Sequence, residues 1–169
     1  GKQMKKCYTG VGSRKTPKLI LDLFEKIATR LAIVGYTLRS GGSEGADKAF
    51  EAGCVKGIGS KEIYLSWPGF EENKSQHNRP TAEAMKIAEQ NHPNWPNCSP
   101  GARLLLGRNT HQVLGADCST PSLFVICWTH PRKGGTTQTL RVAQRFGIPI
   151  ANLHTMKNFD LDTWLSQFR

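Results

Sequence analysis

Three turns that contain glycine constrain the fold of this chain more than any other feature of its sequence. Each turn follows a short apolar segment and precedes a segment with helical periodicity. Because parallel strands need a long crossover between them, usually a helix, this alternation predicts a parallel sheet covered by helices. The first, second and third glycine turns are Gly10-Val11-Gly12-Ser13-Arg14, Ser40-Gly41-Gly42-Ser43-Glu44-Gly45 and Lys133-Gly134-Gly135-Thr136-Thr137.

The predicted elements alternate along almost the whole chain. Apolar residues three and four positions apart predict helices, and short apolar or β-branched segments between turns predict strands. Strands are expected at residues 5–11, 36–39, 61–65, 123–128 and 148–153, and helices at 17–32, 45–52, 81–90, 102–114, 136–146 and 159–168. We therefore expect a Rossmann-like α/β fold, a three-layer sandwich with a mainly parallel sheet. The length of 169 residues suits one domain.

Residues 67–101 interrupt this alternation of strands and helices, so we expect a long insertion there. A connection of that length is uncommon unless it has a role, and we expect it to cover a ligand or to confer specificity. Its aromatic residues Trp67, Phe70 and Trp95 could stack on a base, but anchoring of the segment to the core is the favoured interpretation.

The three turns are candidate phosphate-binding sites. In a doubly wound sheet they lie at the carboxyl ends of strands, where ligands bind. Glycine lets the backbone approach a phosphate closely, and the first amides of the following helix donate to it. A purely steric need for glycine in tight turns is the alternative. The candidate ligand-binding residues are Gly10, Gly12, Ser13, Arg14, Ser40, Gly41, Gly42, Ser43, Gly45, Asp47, Arg108, Asn109, Gly134, Gly135, Thr136 and Thr137.

Four of these candidates have a side chain with two interpretations. Asp47 could cap amides at the start of a helix or hold a ribose hydroxyl or a base. Arg14 could contact a phosphate with two hydrogen bonds or be a solvated turn residue. Arg108 and Asn109 lie in a predicted helix, where asparagine is unfavourable unless its amide bonds to something, so a role in the site is favoured.

Composition excludes several classes of protein. The longest apolar run, Leu123–Trp128, is far short of the about 20 residues that a membrane helix needs, and the basic N-terminus precedes no apolar stretch, so neither a membrane span nor a secretory signal is expected. Five cysteines without a Cys-x-x-Cys pair favour reduced thiols and a cytoplasmic location. No Walker motif, complete Gly-x-Gly-x-x-Gly or metal-ligand spacing occurs, so no cofactor or metal is predicted.

The formal net charge of +10 favours a polyanionic or phosphorylated partner, although a merely soluble basic surface is the alternative. A basic cluster near the N-terminus is compatible with single-stranded DNA. It comprises Lys2, Lys5, Lys6, Arg14, Lys15, Lys18, Lys26 and Arg30.

The motifs together resemble the SLOG superfamily, and within it the Rossmann-like domain of DNA-processing protein A (DprA/Smf). The similarity spans Tyr8 to Leu153 apart from the insertion, and single-domain proteins of this kind are common in phages and bacteria. It implies a nucleotide or single-stranded DNA as partner and a homo-oligomer. The matching motifs are Gly12-Ser13-Arg14, Ser40-Gly41-Gly42 with Gly45-Ala46-Asp47, Arg108-Asn109, and Gly134-Gly135-Thr136.

A more distant resemblance is to the LOG phosphoribohydrolases of the same superfamily, whose signature is Pro-Gly-Gly-x-Gly-Thr-x-x-Glu. Aligned on Gly134-Gly135, this chain has Thr137 in place of the third glycine and Arg141 in place of the catalytic glutamate. Arginine cannot stabilise a ribosyl cation as a carboxylate does, so nucleotide N-glycosidase activity is disfavoured, and whether the protein is an enzyme stays open. We expect it to bind a nucleotide-derived molecule, sensing or sequestering it, with single-stranded DNA binding in DNA processing as the alternative.

Overall fold

A computed structural model describes residues 5–169. Its five strands form one sheet in the order β3-β2-β1-β4-β5, and every neighbouring pair is parallel. The order reverses between β1 and β4, as it does in doubly wound folds. The predicted α/β class with a parallel sheet is therefore confirmed. The strands are β1 (Cys7–Gly12), β2 (Thr37–Ser40), β3 (Lys61–Ile63), β4 (Val125–Trp128) and β5 (Ile150–Asn152).

Six α-helices cover the two faces of the sheet. They are α1 (Lys18–Ile33), α2 (Ala46–Lys56), α3 (Ala82–Gln90), α4 (Pro100–Leu114), α5 (Thr136–Arg145) and α6 (Leu161–Ser166). One apolar core joins β1 to α1, α2 and α6, and includes Tyr8 and Phe50. A second core joins β1 and β4 to α4 and α5, and includes Val11 and Val113. Alternate residues of β1 thus enter opposite cores, as the two-residue period of a strand requires.

Element boundaries differ from the predictions by a few residues. The predicted strand at 61–65 ends at Ile63 because its partner β2 ends at Ser40. The Tyr64 amide makes the last bond to β2, to the Ser40 carbonyl (2.9 Å), and the Leu65 amide donates instead to the His77 carbonyl (2.8 Å), outside the sheet. The fourth helix begins at Pro100, two residues earlier than predicted, because the Ser99 hydroxyl accepts a hydrogen bond from the Ala102 amide (3.1 Å).

The segment between β3 and α4 is ordered around two short 3₁₀ helices (Phe70–Glu72 and Trp95–Asn97) and α3. Phe70 and Trp95 are buried, and Trp67 packs edge-on against Phe70 with ring centroids 5.2 Å apart. These rings anchor the segment, as the favoured interpretation expected. Within residues 5–169, no helix is both long and apolar enough to cross a membrane.

Candidate ligand-binding cleft

A cleft of about 690 Å³ opens at the carboxyl ends of β1 and β4. The first glycine turn, which follows β1, forms one wall, the third glycine turn, which follows β4, forms another, and α4 closes the side between them. Because the strand order reverses between β1 and β4, this is the position where doubly wound sheets bind ligands.

The structure brings ten of the sixteen candidate residues together along this cleft. They are Gly12, Ser13, Arg14, Ser43, Asp47, Arg108, Asn109, Gly134, Gly135 and Thr136. The other six are absent from its lining. They are Gly10, Ser40, Gly41, Gly42, Gly45 and Thr137.

The glycines of the first turn are explained by packing. A Cβ atom added to Gly10 would lie 2.6 Å from the ring of Phe50, and one added to Gly12 would lie 2.6 Å from the Cβ of Ala46. Both glycines therefore let β1 approach α2 closely. The steric interpretation holds for this turn, whatever else Gly12 contributes to the cleft.

The second turn is packed against its neighbours. Gly41, Gly42 and Ser43 are buried, and a Cβ added to Gly41 would lie 2.6 Å from Nη1 of Arg108. Gly45 has a positive φ of 86°, and a Cβ there would lie 2.8 Å from the carbonyl oxygen of Ser13. This turn therefore supports the first turn and presents only Ser43 to the cleft.

The third turn is open. A Cβ added to Gly134 or Gly135 would meet no heavy atom of residues 5–169 within 4 Å, so packing does not require either glycine. Gly134 has a φ of 102°, which a side chain would disfavour, whereas Gly135 has an ordinary φ of −63°. In the described part of the chain, the backbone amides of Gly135 and Thr136 donate to no acceptor. These amides stand at the N-terminus of α5, where the helix dipole favours an anion.

Asp47 connects the first two turns. Its Oδ1 accepts a hydrogen bond from the Gly12 amide (3.2 Å) and its Oδ2 accepts one from the Ser43 amide (3.3 Å). Burial raises the pKa of this carboxyl to about 6, against the opposing effects of Arg108 and the two amides. Both oxygens are thus engaged by amides of the first and second turns, neither of which belongs to α2, so Asp47 links the two turns and does not cap the helix.

Arg108 is a buried cross-link. Its Nη1 donates to the carbonyls of Gly41 (2.7 Å) and Tyr64 (3.3 Å), and its guanidinium lies 5.3 Å from the centre of the Phe70 ring. Burial lowers the pKa of Arg108, and the nearby Asp47 carboxylate opposes that effect.

Asn109 ties this cross-link to the third turn. Its Oδ1 accepts from Nε of Arg108 (2.9 Å), and its Nδ2 donates to the carbonyl of Gly135 (3.0 Å). The asparagine amide therefore does bond inside the site, as its helical position predicted, and it fixes the open turn.

Arg14 is exposed, and its Nη2 donates to Oε1 of Glu71 at 3.0 Å. Glu71 belongs to the segment between β3 and α4, so this segment reaches the mouth of the cleft. Glu71 and Glu72 have positive φ values of 52° and 61°, which glutamate rarely adopts.

Several lining residues had no signal in the sequence. Trp128, His130 and His154 form a row of rings, with centroids of Trp128 and His154 5.0 Å apart and those of His130 and His154 5.9 Å apart. They come from the ends of β4 and β5, and only the strand order brings them to the first turn. Lys15 of the N-terminal basic cluster and Lys133 of the third glycine turn, which the sequence did indicate, also line the cleft and add positive charge.

A second cleft of about 600 Å³ lies between α5 and β5. Thr137, Arg132 and Arg141 line it, and Nη1 of Arg141 donates to Oε1 of Gln138 (2.9 Å). The residue at the glutamate position of the LOG signature thus lies outside the first cleft. Among residues 5–169, no group of three or more His, Cys, Asp or Glu side chains could hold a metal ion.

No family model matches this chain, and no curated protein matches it. Among solved structures, it is similar to DNA-processing protein A from Helicobacter pylori, with a TM-score of 0.52 and 14% identity over 97% of this chain and 72% of that chain. That structure concerns the single-stranded DNA binding mode of the Helicobacter protein. At this identity, the similarity supports the Rossmann-like fold alone.

Two further solved structures are similar at lower TM-scores. One is the molybdenum cofactor carrier protein from Chlamydomonas reinhardtii, with a TM-score of 0.48 and 14% identity over 98% of this chain and 96% of that one. The other is DNA-processing protein A from Streptococcus pneumoniae, with a TM-score of 0.40 and 13% identity over 92% of this chain and 62% of that one.

Proposed function

We propose that the cleft binds a nucleotide or another nucleotide-derived molecule through its phosphate, and that the protein senses or sequesters this ligand. The observation that carries the proposal is the open third turn. Gly134 and Gly135 have no packing role, and the uncommitted amides of Gly135 and Thr136 lie in a cleft at the reversal of strand order. The proposal includes membership in the SLOG superfamily.

The charges around the cleft support an anionic ligand. Arg14, Lys15, Lys133 and the buried Arg108 line it, against the carboxylate of Asp47 in the lining and that of Glu71, which pairs with Arg14. Arg14 and Lys133 are exposed and stand on the first and third turns, where each offers a charged donor to a phosphate in the cleft. The hydroxyls of Ser13 and Thr136 add hydrogen-bond donors.

The remaining candidates position these groups. Asp47, Arg108 and Asn109 have their polar atoms engaged by backbone and side-chain partners, and they hold the first and third turns at a fixed separation. We assign them the role of fixing the turns rather than of binding phosphate.

Isothermal titration with nucleoside mono- and diphosphates at low salt tests this proposal, together with mass spectrometry of small molecules released when the purified protein is denatured. The test variant is Arg14→Ala/Lys133→Ala. The matched control is Lys26→Ala/Lys86→Ala, which removes the same charge from exposed residues outside the cleft.

We expect saturable binding at one site, weakened at least about tenfold in the test variant because two charge-assisted contacts are lost. The control should bind like the wild type. Equal weakening in both variants would mean that net charge alone attracts the ligand, and absence of binding to every nucleotide would contradict the proposal.

Single-stranded DNA is a second candidate, favoured by the distribution of charge. Residues 118–159 contain no Asp or Glu, and their five basic side chains belong to no ion pair within residues 5–169. They are Arg132, Lys133, Arg141, Arg145 and Lys157.

The N-terminal basic cluster is less suited to DNA than the sequence indicated. Lys5, Arg14, Lys18 and Arg30 each pair with a carboxylate, at 2.6 to 3.0 Å, and Lys2 lies outside the described residues. If DNA binds, we expect it along α5 and the turn before it.

Fluorescence anisotropy of a labelled oligothymidylate over a range of salt concentrations tests this candidate. The variant Arg141→Ala/Arg145→Ala should bind DNA more weakly. The slope of log affinity against log salt concentration should become shallower by about 0.7 for each lost phosphate contact, whereas Lys26→Ala/Lys86→Ala should change neither the affinity nor the slope. Equal behaviour of the two variants would contradict DNA binding on α5.

A further inference from the structure

We infer that Trp128 and His154 form the base-binding wall of the cleft, so that a bound nucleotide extends from the third turn towards the ends of β4 and β5. This inference rests on the proposed function and adds the position of the base and the residues that select a nucleotide over a simple sugar phosphate.

The packing of the second turn leaves only one direction for the base. Arg108 bridges to the Gly41 carbonyl and stacks on Phe70, and Asp47 holds the Ser43 amide. The side of the cleft towards β2 is therefore filled by protein groups. On the opposite side, the rings at the ends of β4 and β5 line the cleft.

Within residues 5–169, the aromatic side chains that line the cleft all lie on that opposite side. In the described part of the chain, Trp128, His130 and His154 are the aromatic residues that line the cleft. The apolar lining on α4 consists of Leu105 and Leu106, and Leu106 is committed to a small apolar core with Trp95. A nucleobase gains most from a flat aromatic partner, because stacking exploits the whole face of the base.

Trp128 is the one residue of β4 that is not fully buried. The other three residues of β4 are fully buried, whereas Trp128 is partly exposed and faces the cleft. Its backbone is held in place, since the Ser13 amide donates to its carbonyl at 3.0 Å. The ring packs against the first apolar core on one side and keeps part of its surface exposed beside the first turn.

His154 is positioned by a buried asparagine. The side chain of Asn152 accepts from the amides of Thr129 (3.2 Å) and His154 (3.1 Å) and donates to the Thr129 carbonyl (3.0 Å). It therefore fastens the end of β5 to the end of β4 and sets the two rings 5.0 Å apart. Nδ1 of His154 is buried with no hydrogen-bond partner in residues 5–169, so the described residues leave the ring face as the part of this side chain that a base can contact.

Titration with two probes separates the base from the phosphate. The probes are adenosine 5′-monophosphate and ribose 5-phosphate, and the variants are Trp128→Leu and His154→Ala. Trp67→Leu is the matched control, because Trp67 is a partly exposed tryptophan outside the cleft. Trp128→Phe should keep most of the affinity, since it retains a ring.

We expect each of Trp128→Leu and His154→Ala to weaken binding of the nucleotide about tenfold or more, the usual effect of removing a stacking partner. Affinity for ribose 5-phosphate should change less than about twofold. The nucleotide should also quench tryptophan fluorescence in the wild type and in Trp67→Leu, and this quenching should be lost in Trp128→Leu.

Two results would overturn the inference while leaving the proposed function intact. One is a wild-type protein that binds both probes equally tightly. The other is an equal loss of affinity for both probes in His154→Ala, which would indicate damage to the phosphate site. Failure of the wild type to bind either probe would instead overturn the proposed function, and the inference with it.

Discussion

Replacing Asp47 by asparagine should change how the stability of the protein depends on pH. The Asp47 carboxyl is buried between the first and second turns, and burial raises its pKa from 3.8 to about 6. A folded-state pKa above the unfolded value means that the folded protein binds the proton more tightly, so folding is favoured at low pH and loses stability as the pH rises. The difference corresponds to about 3 kcal/mol when the group is fully ionised.

About 1.4 kcal/mol of that loss falls between pH 5 and pH 7.5, because the unfolded carboxyl is already ionised at pH 5 while the folded one is not. Asparagine does not titrate. Its NH₂ group also lies against the amide of Gly12 or Ser43, so that two donors face each other. The resulting loss of stability is the same at both pH values.

Urea denaturation monitored by tryptophan fluorescence at pH 5 and pH 7.5 measures the effect. The unfolding free energy of the wild type minus that of Asp47→Asn should fall by about 1.4 kcal/mol between the two pH values. A difference that stays constant would mean that the folded-state pKa of Asp47 is ordinary, or is lowered because Arg108 and the two amides outweigh burial, and would refute the reasoning.

Three further substitutions test the packing and charges of the site. Gly135→Ala should leave the unfolding free energy unchanged or raise it by up to about 1 kcal/mol, since the φ of Gly135 is compatible with alanine. In titration the same variant should bind nucleotide more weakly, because the added methyl group would enter the phosphate position. Glu71→Gln should raise nucleotide affinity by up to about fivefold, because it removes the carboxylate that pairs with Arg14. Gly10→Ala should lower the unfolding free energy in urea by about 1 to 3 kcal/mol, because its Cβ would press on the Phe50 ring.

Each of these expectations has a contrary result. Unimpaired nucleotide binding by Gly135→Ala would show that the ligand does not approach this turn. Unchanged or lower affinity in Glu71→Gln would show that the carboxylate does not compete for Arg14. A fully stable Gly10→Ala protein would show that α2 can move away from β1.

The order and type of the elements could be predicted because each segment has its own periodicity and its own turn. The end of β3 could not, since it depends on its partner: β2 ends at Ser40, and the Leu65 amide bonds to His77 outside the sheet. The same holds for the exact starts of helices, which depend on capping side chains such as Ser99.

Only part of the candidate cleft could be predicted from the sequence. The alternation of elements predicts that the first and third turns follow strands, and in the structure these strands are the neighbours β1 and β4. The second turn looked equivalent, but whether a glycine faces a cleft or a packed side chain depends on its partners, and Gly41 lies against Arg108. Trp128 and His154 were missed because they meet only through the pairing of β4 with β5.

Backbone amide chemical shifts of the ¹⁵N-labelled protein, followed during titration with adenosine 5′-monophosphate, test the central claim most directly. Binding between the first and third turns predicts the largest shifts at residues 12–15 and 133–136, with small shifts at Gly41 and Gly42, which lie behind Arg108. Shifts centred on Gly41 and Gly42, or no saturable shifts at residues 133–136, would contradict the account.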